Sequence, residues 1–228
     1  SNGVVPTKEW KLANLGERWQ GGETLLAAIG QGYMLSTPLQ LAVMTARLAT
    51  GRAVEPRMVH SIGGVEQPVA EAPPLGLTPD HLRNVQRGMW AVLNPRTGTG
   101  WSSRSEDKAM LIAGKSGTAQ VRNISAAERA RGVIRNDQLP WNRRDHGLFV
   151  AYAPSDNPRY ACSVVLEHGG GGGVAAPIAR DILLFALNGG MPPLSAYPKN
   201  QRGRIESHQQ SLPLRAPETF SGSRPTRA

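Results

Sequence analysis

Two consecutive apolar runs, joined by a short turn, constrain the fold of this 228-residue chain more than any other feature. Residues 146–153 and 159–167 are rich in aliphatic side chains on both alternating sets of positions. A strand that is apolar on both faces is covered on both faces. Ser155-Asp156-Asn157, between the runs, has the composition of a turn. The two runs therefore predict an antiparallel hairpin near the centre of a covered sheet.

Three segments with helical spacing supply elements that can cover such a sheet. The predicted helices begin at Ser36 or Thr37, at Thr78 and at Pro177, and each carries apolar residues three or four positions apart. The first of them ends at Gly51, and residues 56–62 after it are predicted to form a short strand. Helices and strands in segregated order predict an α+β fold with an antiparallel sheet covered by helices.

The chemistry of the chain centres on Lys115-Ser116-Gly117-Thr118, within a third predicted strand. Successive side chains of a strand point to opposite faces, so Ser116 and Thr118 share one face while Lys115 and Gly117 share the other. Gly117 lets a ligand backbone lie along the strand, and two hydroxyls beside an ammonium can hold a carboxylate. We expect the backbone N–H of Thr118 to face a developing oxyanion. The alternative is an ordinary sheet strand with a solvated lysine.

Several segments, in a fixed order, resemble penicillin-binding transpeptidases. Lys115-Ser116-Gly117, with Ala-Gln-Val shortly after it, is similar to the third active-site motif of that family, the Lys-Thr/Ser-Gly triad. The other similar segments are Gly30-Gln31-Gly32-Tyr33 and residues 37–42, 146–154 and 173–180. Residues 6–11 resemble the branch of the family that acts in cell elongation. The resemblance covers about residues 1–190.

The resemblance implies a peptidoglycan DD-transpeptidase, a serine acyltransferase that cross-links stem peptides and is the target of β-lactams. Ser116 and Thr118 would then bind the terminal carboxylate of the donor peptide, Lys115 would supply positive potential, and Gly117 would complete the substrate-binding set. The implied partners are stem peptides and β-lactams, with a membrane glycosyltransferase and elongation-machinery proteins contacting upstream parts. The implied location is the periplasmic face of the inner membrane, with an anchor upstream of this chain.

Three alternatives to this function stay open, and one of them is polyanion binding by the basic residues of segment 195–228. A DD-carboxypeptidase or a serine β-lactamase-like hydrolase of the same superfamily would use the same residues and transfer the acyl group to water. A noncatalytic interaction module would use the Lys115 strand only as part of a sheet.

The first two motifs of the family, Ser-x-x-Lys and Ser-x-Asn, are missing from their places before Lys115. We therefore interpret the chain as the C-terminal portion of a transpeptidase domain, and we expect it not to be acylated alone. Residues 105–108 do spell Ser-x-x-Lys, but they lie in a segment without the apolar face of a packed helix, which that motif requires. Residues 155–157 spell Ser-x-Asn, but in a predicted turn after the third motif.

Positive charge concentrates in two segments of this chain, whose formal net charge is +9. The insert 122–145 carries six arginines against three acidic residues, and it is either a binding loop or a solvated excursion. Residues 195–228 are rich in Ser, Pro, Gln and Arg, which predicts a disordered basic tail after a transpeptidase portion formed by residues 1–194. Such a tail would contact anionic polymers or lipid headgroups, or nothing specific. Without a reader motif, nucleic-acid binding is not predicted.

Neither a cofactor nor a metal ion is expected. The five histidines show no ligand spacing among themselves or with Cys162, which is predicted to be a small buried residue in a strand. The glycine run 169–173 lacks both the ending of a P-loop and the spacing of a dinucleotide fold, so it is predicted to connect a strand to a helix beside the site. Glu167 and His168 just before it are candidates for lining the cleft. No apolar run is long enough to predict a membrane span.

Overall fold

The computed structural model describes residues 2–212. Its α-helices are α1 (Lys8–Leu15), α2 (Gly21–Ala28), α3 (Pro38–Thr50), α4 (Pro79–Leu93), α5 (Ala126–Arg131), α6 (Ala176–Asn188) and α7 (Arg202–Ser211). Its strands are β1 (Ser61–Ile62), β2 (Val65–Glu66), β3 (Ala113–Ala119), β4 (His146–Ala153) and β5 (Tyr160–Leu166). The order of helices and strands confirms the predicted α+β class.

The main sheet has three antiparallel strands in the order β3-β4-β5. Ser116 of β3 lies opposite Phe149 of β4, which lies opposite Val164 of β5. The predicted hairpin is therefore confirmed, and residues 155–157 lie in its turn. Its predicted central position is right for β4 only, because β5 ends this sheet within the described residues.

Helices cover both faces of the sheet and define two apolar clusters. On one face, α6 packs against β4 and β5 through a cluster that includes Phe149, Val164 and Leu183. On the other face, α3 and α4 pack over a second cluster that includes Val150 and Tyr152. Phe149 and Tyr152 are each only 1% exposed. Because neighbouring residues of β4 are buried on opposite faces, its continuous apolar run follows from the two-sided cover.

Local signals in the sequence fix the ends of α3. The Thr37 hydroxyl accepts a hydrogen bond from the Gln40 N–H at 3.2 Å, and the Gln40 side chain accepts one from the Thr37 N–H at 2.8 Å. Gly51 ends the helix in the left-handed conformation, with φ of 70°. This reciprocal capping pattern satisfies two backbone donors that a helix start would otherwise leave unpaired.

The predicted strand over residues 56–62 is wrong for most of its length. Only Ser61 and Ile62 pair, and they form a small hairpin with Val65 and Glu66. Met58 is fully exposed, so this apolar residue makes no packed strand face. The apolar residues that suggested a strand lack an element to pack against among the described residues.

The prediction that the chain is disordered from residue 195 is wrong for residues 195–212. Tyr197 is 2% exposed, and its ring lies 4.8 Å from the buried Arg180 guanidinium. Arg180 also donates to the Gln201 side chain at 2.8 Å, and Gln201 donates to the Ser102 carbonyl at 2.6 Å. A few buried residues anchor this polar segment, which leads into α7, so its average composition is a poor guide to its order. The rest of the predicted tail, residues 213–228, lies outside the described residues.

The polar insert is folded rather than extended into solvent. It contains α5 and two short 3-10 turns, and it ends where β4 begins. Within residues 2–212, the structure contains no helix with the length and apolar content needed to cross a membrane.

Candidate active site

The four residues of the Lys115 motif lie on β3, which pairs with β4 on one side only within the described residues. Lys115 and Thr118 are exposed, whereas Ser116 and Gly117 are half-buried. The Lys115 ammonium donates to the Ser116 carbonyl at 2.7 Å and lies 3.4 Å from the Ser116 hydroxyl. The structure therefore places an ammonium beside the Ser116 hydroxyl on an accessible strand that carries a second hydroxyl, Thr118, two residues further on, and such groups can bind an anion.

The register of the sheet assigns the two hydroxyls to one face. Thr118 lies opposite Gly147 and Ser116 lies opposite Phe149, so both hydroxyls share the face that α6 covers. Gly117 lies opposite Leu148, on the face toward α3 and α4. The alternation that the sequence predicted for these residues agrees with this register.

The glycine run packs directly against the hydroxyl face of β3. A Cβ atom built on Gly172 would lie 2.7 Å from the Ser116 Cβ and 2.8 Å from the Gly117 carbonyl oxygen. A Cβ atom built on Gly147 would lie 2.3 Å from the Gly171 carbonyl oxygen. Side chains do not fit at such distances. The glycines therefore allow the loop to form a wall beside the motif, a role that sequence reasoning missed because the run has no diagnostic spacing.

A second contact with β3 comes from the segment between α2 and α3. The Gln31 side-chain amide donates to the Thr118 carbonyl at 2.7 Å, across 87 residues of sequence. Sequence reasoning used Gln31 only as part of a resemblance and gave it no role. The neighbouring glycines were the one available signal, since they indicate a tight turn that fixes the side chain between them.

An ion pair holds the insert together internally, and polar contacts of Asn136 and Asp145 join it to the glycine run. Arg122 and Glu128 form a bidentate ion pair with distances of 2.6 and 2.7 Å. The Asn136 amide donates to the Asp145 carboxylate and to the Gly170 carbonyl, each at 3.1 Å. A cavity of about 710 Å³ lies between the insert and the glycine run. The insert therefore packs against the glycine run and borders the candidate site.

Comparison with known proteins identifies the family. The family model for the penicillin binding protein transpeptidase domain matches residues 1–184. The chain belongs to this family. The resemblance inferred from the motifs is therefore confirmed.

The peptidoglycan D,D-transpeptidase MrdA of Haemophilus influenzae is 37% identical over 220 residues, which cover 91% of this chain and 33% of the relative. PBP2 of Pseudomonas aeruginosa, solved in complex with WCK 5153, is 36% identical with a TM-score of 0.63, covering 87% of this chain and 42% of that one. PBP2 of Helicobacter pylori, solved in complex with MreC, is 31% identical with a TM-score of 0.64, covering 81% of this chain and 31% of that one. This transpeptidase-family chain spans about a third of the length of the curated relatives that it matches.

Residues 105–108 and 155–157 of this transpeptidase-family chain match the patterns of the family's first two motifs. Both segments have structural roles instead. Ser105 is buried, and its hydroxyl accepts a hydrogen bond from the Asp107 N–H at 3.1 Å. Lys108 lies in a 3-10 turn, so an α-helix does not bring it back beside Ser105. Residues 155–157 form the turn between β4 and β5. Both predictions that these segments are not catalytic motifs agree with the structure.

The remaining nucleophile and metal candidates do not form a site in the described residues. Burial raises the pKa of the Cys162 thiol to about 11, so this thiol is a poor nucleophile at neutral pH. Residues 2–212 hold no group of three or more His, Cys, Asp or Glu side chains arranged to bind a metal ion.

Glu167 and His168 differ in what they do beside the glycine run. Glu167 is exposed, whereas the His168 ring packs edge-on against Trp141 with centroids 4.5 Å apart. The backbone N–H of His168 donates a hydrogen bond to the His146 ring at 2.9 Å. The His168 ring is itself hydrogen-bonded to the Arg144 carbonyl at 2.9 Å. His168 therefore ties the insert to the start of the glycine run.

The Arg122–Glu128 ion pair of the insert predicts that the stability of this chain decreases at acidic pH. Hydrogen bonds from Arg122, and then from the Ile134 N–H, lower the pKa of Glu128 from 4.5 to about 2. Because this pKa is lower in the folded chain, Glu128 stabilises it above pH 4.5 and loses that contribution as the pH falls toward 2. We expect Glu128→Gln to lower the urea midpoint at pH 7 and to flatten its dependence on pH between 4.5 and 2. Parallel pH profiles for the wild type and the variant would contradict this assignment.

Proposed function

We propose that this chain supplies the donor-binding edge of a peptidoglycan DD-transpeptidase. The observation that carries the proposal is the placement of Lys115, Ser116 and Thr118 together on an accessible strand, at the position of the family's Lys-Ser/Thr-Gly motif. The naming of the curated relatives as D,D-transpeptidases supports transfer to an amine rather than hydrolysis. The Lys115 edge alone would serve a DD-carboxypeptidase equally well, because transpeptidation and carboxypeptidase hydrolysis use the same donor peptide.

The proposed mechanism begins with a serine outside this chain. That serine attacks the penultimate D-alanyl carbonyl of a stem peptide, the terminal D-alanine leaves, and the amine of a second stem then takes the acyl group. Ser116 and Thr118 bind the terminal carboxylate of the donor, and Lys115 adds positive potential at that carboxylate. The Thr118 N–H donates to the oxyanion that forms on the attacked carbonyl. Gly117 leaves room for the donor backbone beside β3.

The proposed setting of this reaction is cell elongation at the periplasmic face of the inner membrane. The solved complex of a PBP2 relative with MreC supports an elongation-machinery partner for this protein as well. A membrane glycosyltransferase that supplies glycan strands is proposed as a second partner. We place both contacts outside the Lys115 edge, which must stay accessible to the donor peptide.

Covalent labelling by penicillin tests this proposal. The protein as the cell makes it, including whatever precedes Ser1, is expected to form one adduct per molecule by mass spectrometry. Residues 1–228 alone are expected to form none, because the decoy Ser105 is buried and lacks a helical lysine partner. Failure of the cellular protein to react would overturn the proposed function. An adduct on Ser105 would instead overturn the assignment of the nucleophile to another part of the protein.

A further inference from the structure

The edge of β3 that faces away from β4 carries the carbonyl groups with which an added strand would pair. Carbonyls two residues apart point to the same edge of a strand, so the Ser116 and Thr118 carbonyls share this one. A side chain covers each of them. The Lys115 ammonium donates to the Ser116 carbonyl at 2.7 Å, and the Gln31 amide donates to the Thr118 carbonyl at 2.7 Å. Lys115 belongs to β3 itself, whereas Gln31 comes from the segment between α2 and α3.

A donor peptide that lies along this edge needs the Thr118 carbonyl for its own pairing. The proposed function places the donor carboxylate at Ser116 and the attacked carbonyl at the Thr118 N–H, so the donor runs antiparallel to β3. Residues that pair through hydrogen bonds in an antiparallel ladder exchange two of them. The N–H of the attacked D-alanyl residue therefore points at the Thr118 carbonyl, where the Gln31 amide is bound. The donor and Gln31 compete for one acceptor.

The segment that carries Gln31 fixes its backbone but not its side chain. Gly30 and Gly32 on either side both have φ of 73°, and the Gln31 N–H donates to the Leu26 carbonyl at 2.9 Å. Within residues 2–212, the Gln31 carboxamide makes no hydrogen bond other than the one to Thr118. Rotation of the Gln31 side chain therefore breaks the contact without a change in the backbone of either segment.

We propose that Gln31 is a gate on the Lys115 edge, a side chain that must turn away from the Thr118 carbonyl before a donor pairs with β3. This inference rests on the proposed function, and it adds a residue outside the family's three motifs that opposes donor binding. The gate acts on binding alone, because a donor in place has already displaced Gln31 when the serine attacks. A side chain over an open strand edge also keeps that edge from pairing with other strands.

Acylation by penicillin, measured over a range of concentrations in the protein as the cell makes it, tests the gate. Gln31→Ala removes the carboxamide, and Gln31→Asn shortens the side chain so that it no longer reaches Thr118. We expect both variants to lower the dissociation constant of the noncovalent complex about 3- to 10-fold and to keep the limiting acylation rate within about twofold. The exposed Gln210 of α7 provides the control Gln210→Ala, which is expected to match the wild type.

A second ligand distinguishes the gate from a general change in the site. Penicillanic acid keeps the ring system and the carboxylate of penicillin but lacks the amide substituent whose N–H would take the Thr118 carbonyl. Because it does not extend to that carbonyl, it can bind while Gln31 stays in place. Gln31→Ala is therefore expected to change its dissociation constant by less than about twofold. An equal gain in affinity for both ligands would overturn the proposal.

The outcomes separate this inference from the function on which it rests. A wild-type protein that penicillin does not acylate would refute the proposed function. A wild-type protein that is acylated, with Gln31→Ala and Gln31→Asn binding penicillin no more tightly, would refute the gate and leave the function standing. Unfolding of a variant weakens binding, so it cannot imitate the expected gain.

Discussion

Replacing Gly172 by alanine is expected to lower the free energy of unfolding by about 1–3 kcal/mol, because its Cβ would overlap backbone atoms. The added methyl would lie 2.7 Å from the Leu148 carbonyl oxygen and 2.8 Å from the Gly117 carbonyl oxygen. Neither oxygen can move without disturbing the pairing of β3 with β4. The glycine run must therefore shift away from the hydroxyl face of the motif. Urea unfolding of the chain measures the loss.

Gly173 offers a matched control one residue away. A Cβ atom built there meets nothing within 4 Å, and neither glycine has a positive φ. Gly172→Ala and Gly173→Ala remove the same conformational freedom from the unfolded chain, so their difference isolates the overlap in the folded state. Gly173→Ala is expected to stay within about 0.5 kcal/mol of the wild type. Equal unfolding free energies for the two variants would contradict the packing of the glycine run on β3.

Removing the charge of Lys115 is expected to lower the rate of acylation by penicillin about 10- to 100-fold. Hydrogen bonds to charged groups contribute about 1.5–3 kcal/mol, and Lys115→Met removes the cation proposed to attract the donor carboxylate. The side chain is exposed, so the folded chain should tolerate the change without a large loss of stability. Stopped-flow or gel-based labelling of the protein as the cell makes it gives the rate.

The exposed Lys108 is the matched control for that experiment. Lys108→Met removes the same charge from a 3-10 turn in the sequence that imitates the first motif. It is expected to react like the wild type. If both lysine variants lost activity equally, the effect would report the net charge of the protein rather than the Lys115 edge.

The parts of the fold that depend on local patterns could be predicted from sequence. The hairpin of β4 and β5 and the capped helix α3 follow from apolar runs, turn residues and capping residues that lie close together along the chain. The prediction of a strand over residues 56–62 was wrong because it also depended on a local pattern alone. Its apolar residues imitate a strand locally, and only the absence of a packing partner within the described residues shows otherwise.

The features that depend on contacts between distant segments could not be predicted. Tyr197 lies in a polar segment, and its burial beside Arg180 is a property of the folded chain. The contact of Gln31 with Thr118 joins residues 87 positions apart, and the packing of Gly172 on Ser116 joins two different elements. The residues of the candidate site could thus be predicted from the sequence. The segments that pack around them could be identified only from the structure.

The central claim is that the Lys115 edge recognises a terminal carboxylate, and substrate discrimination tests it most directly. The measurement compares acylation by a peptide ending in D-alanyl-D-alanine with acylation by the same peptide carrying a C-terminal amide. The wild-type protein is expected to prefer the free acid strongly, and a Ser116→Ala/Thr118→Val double variant is expected to lose most of that preference through slower reaction with the acid. An unchanged preference in the double variant would contradict the account.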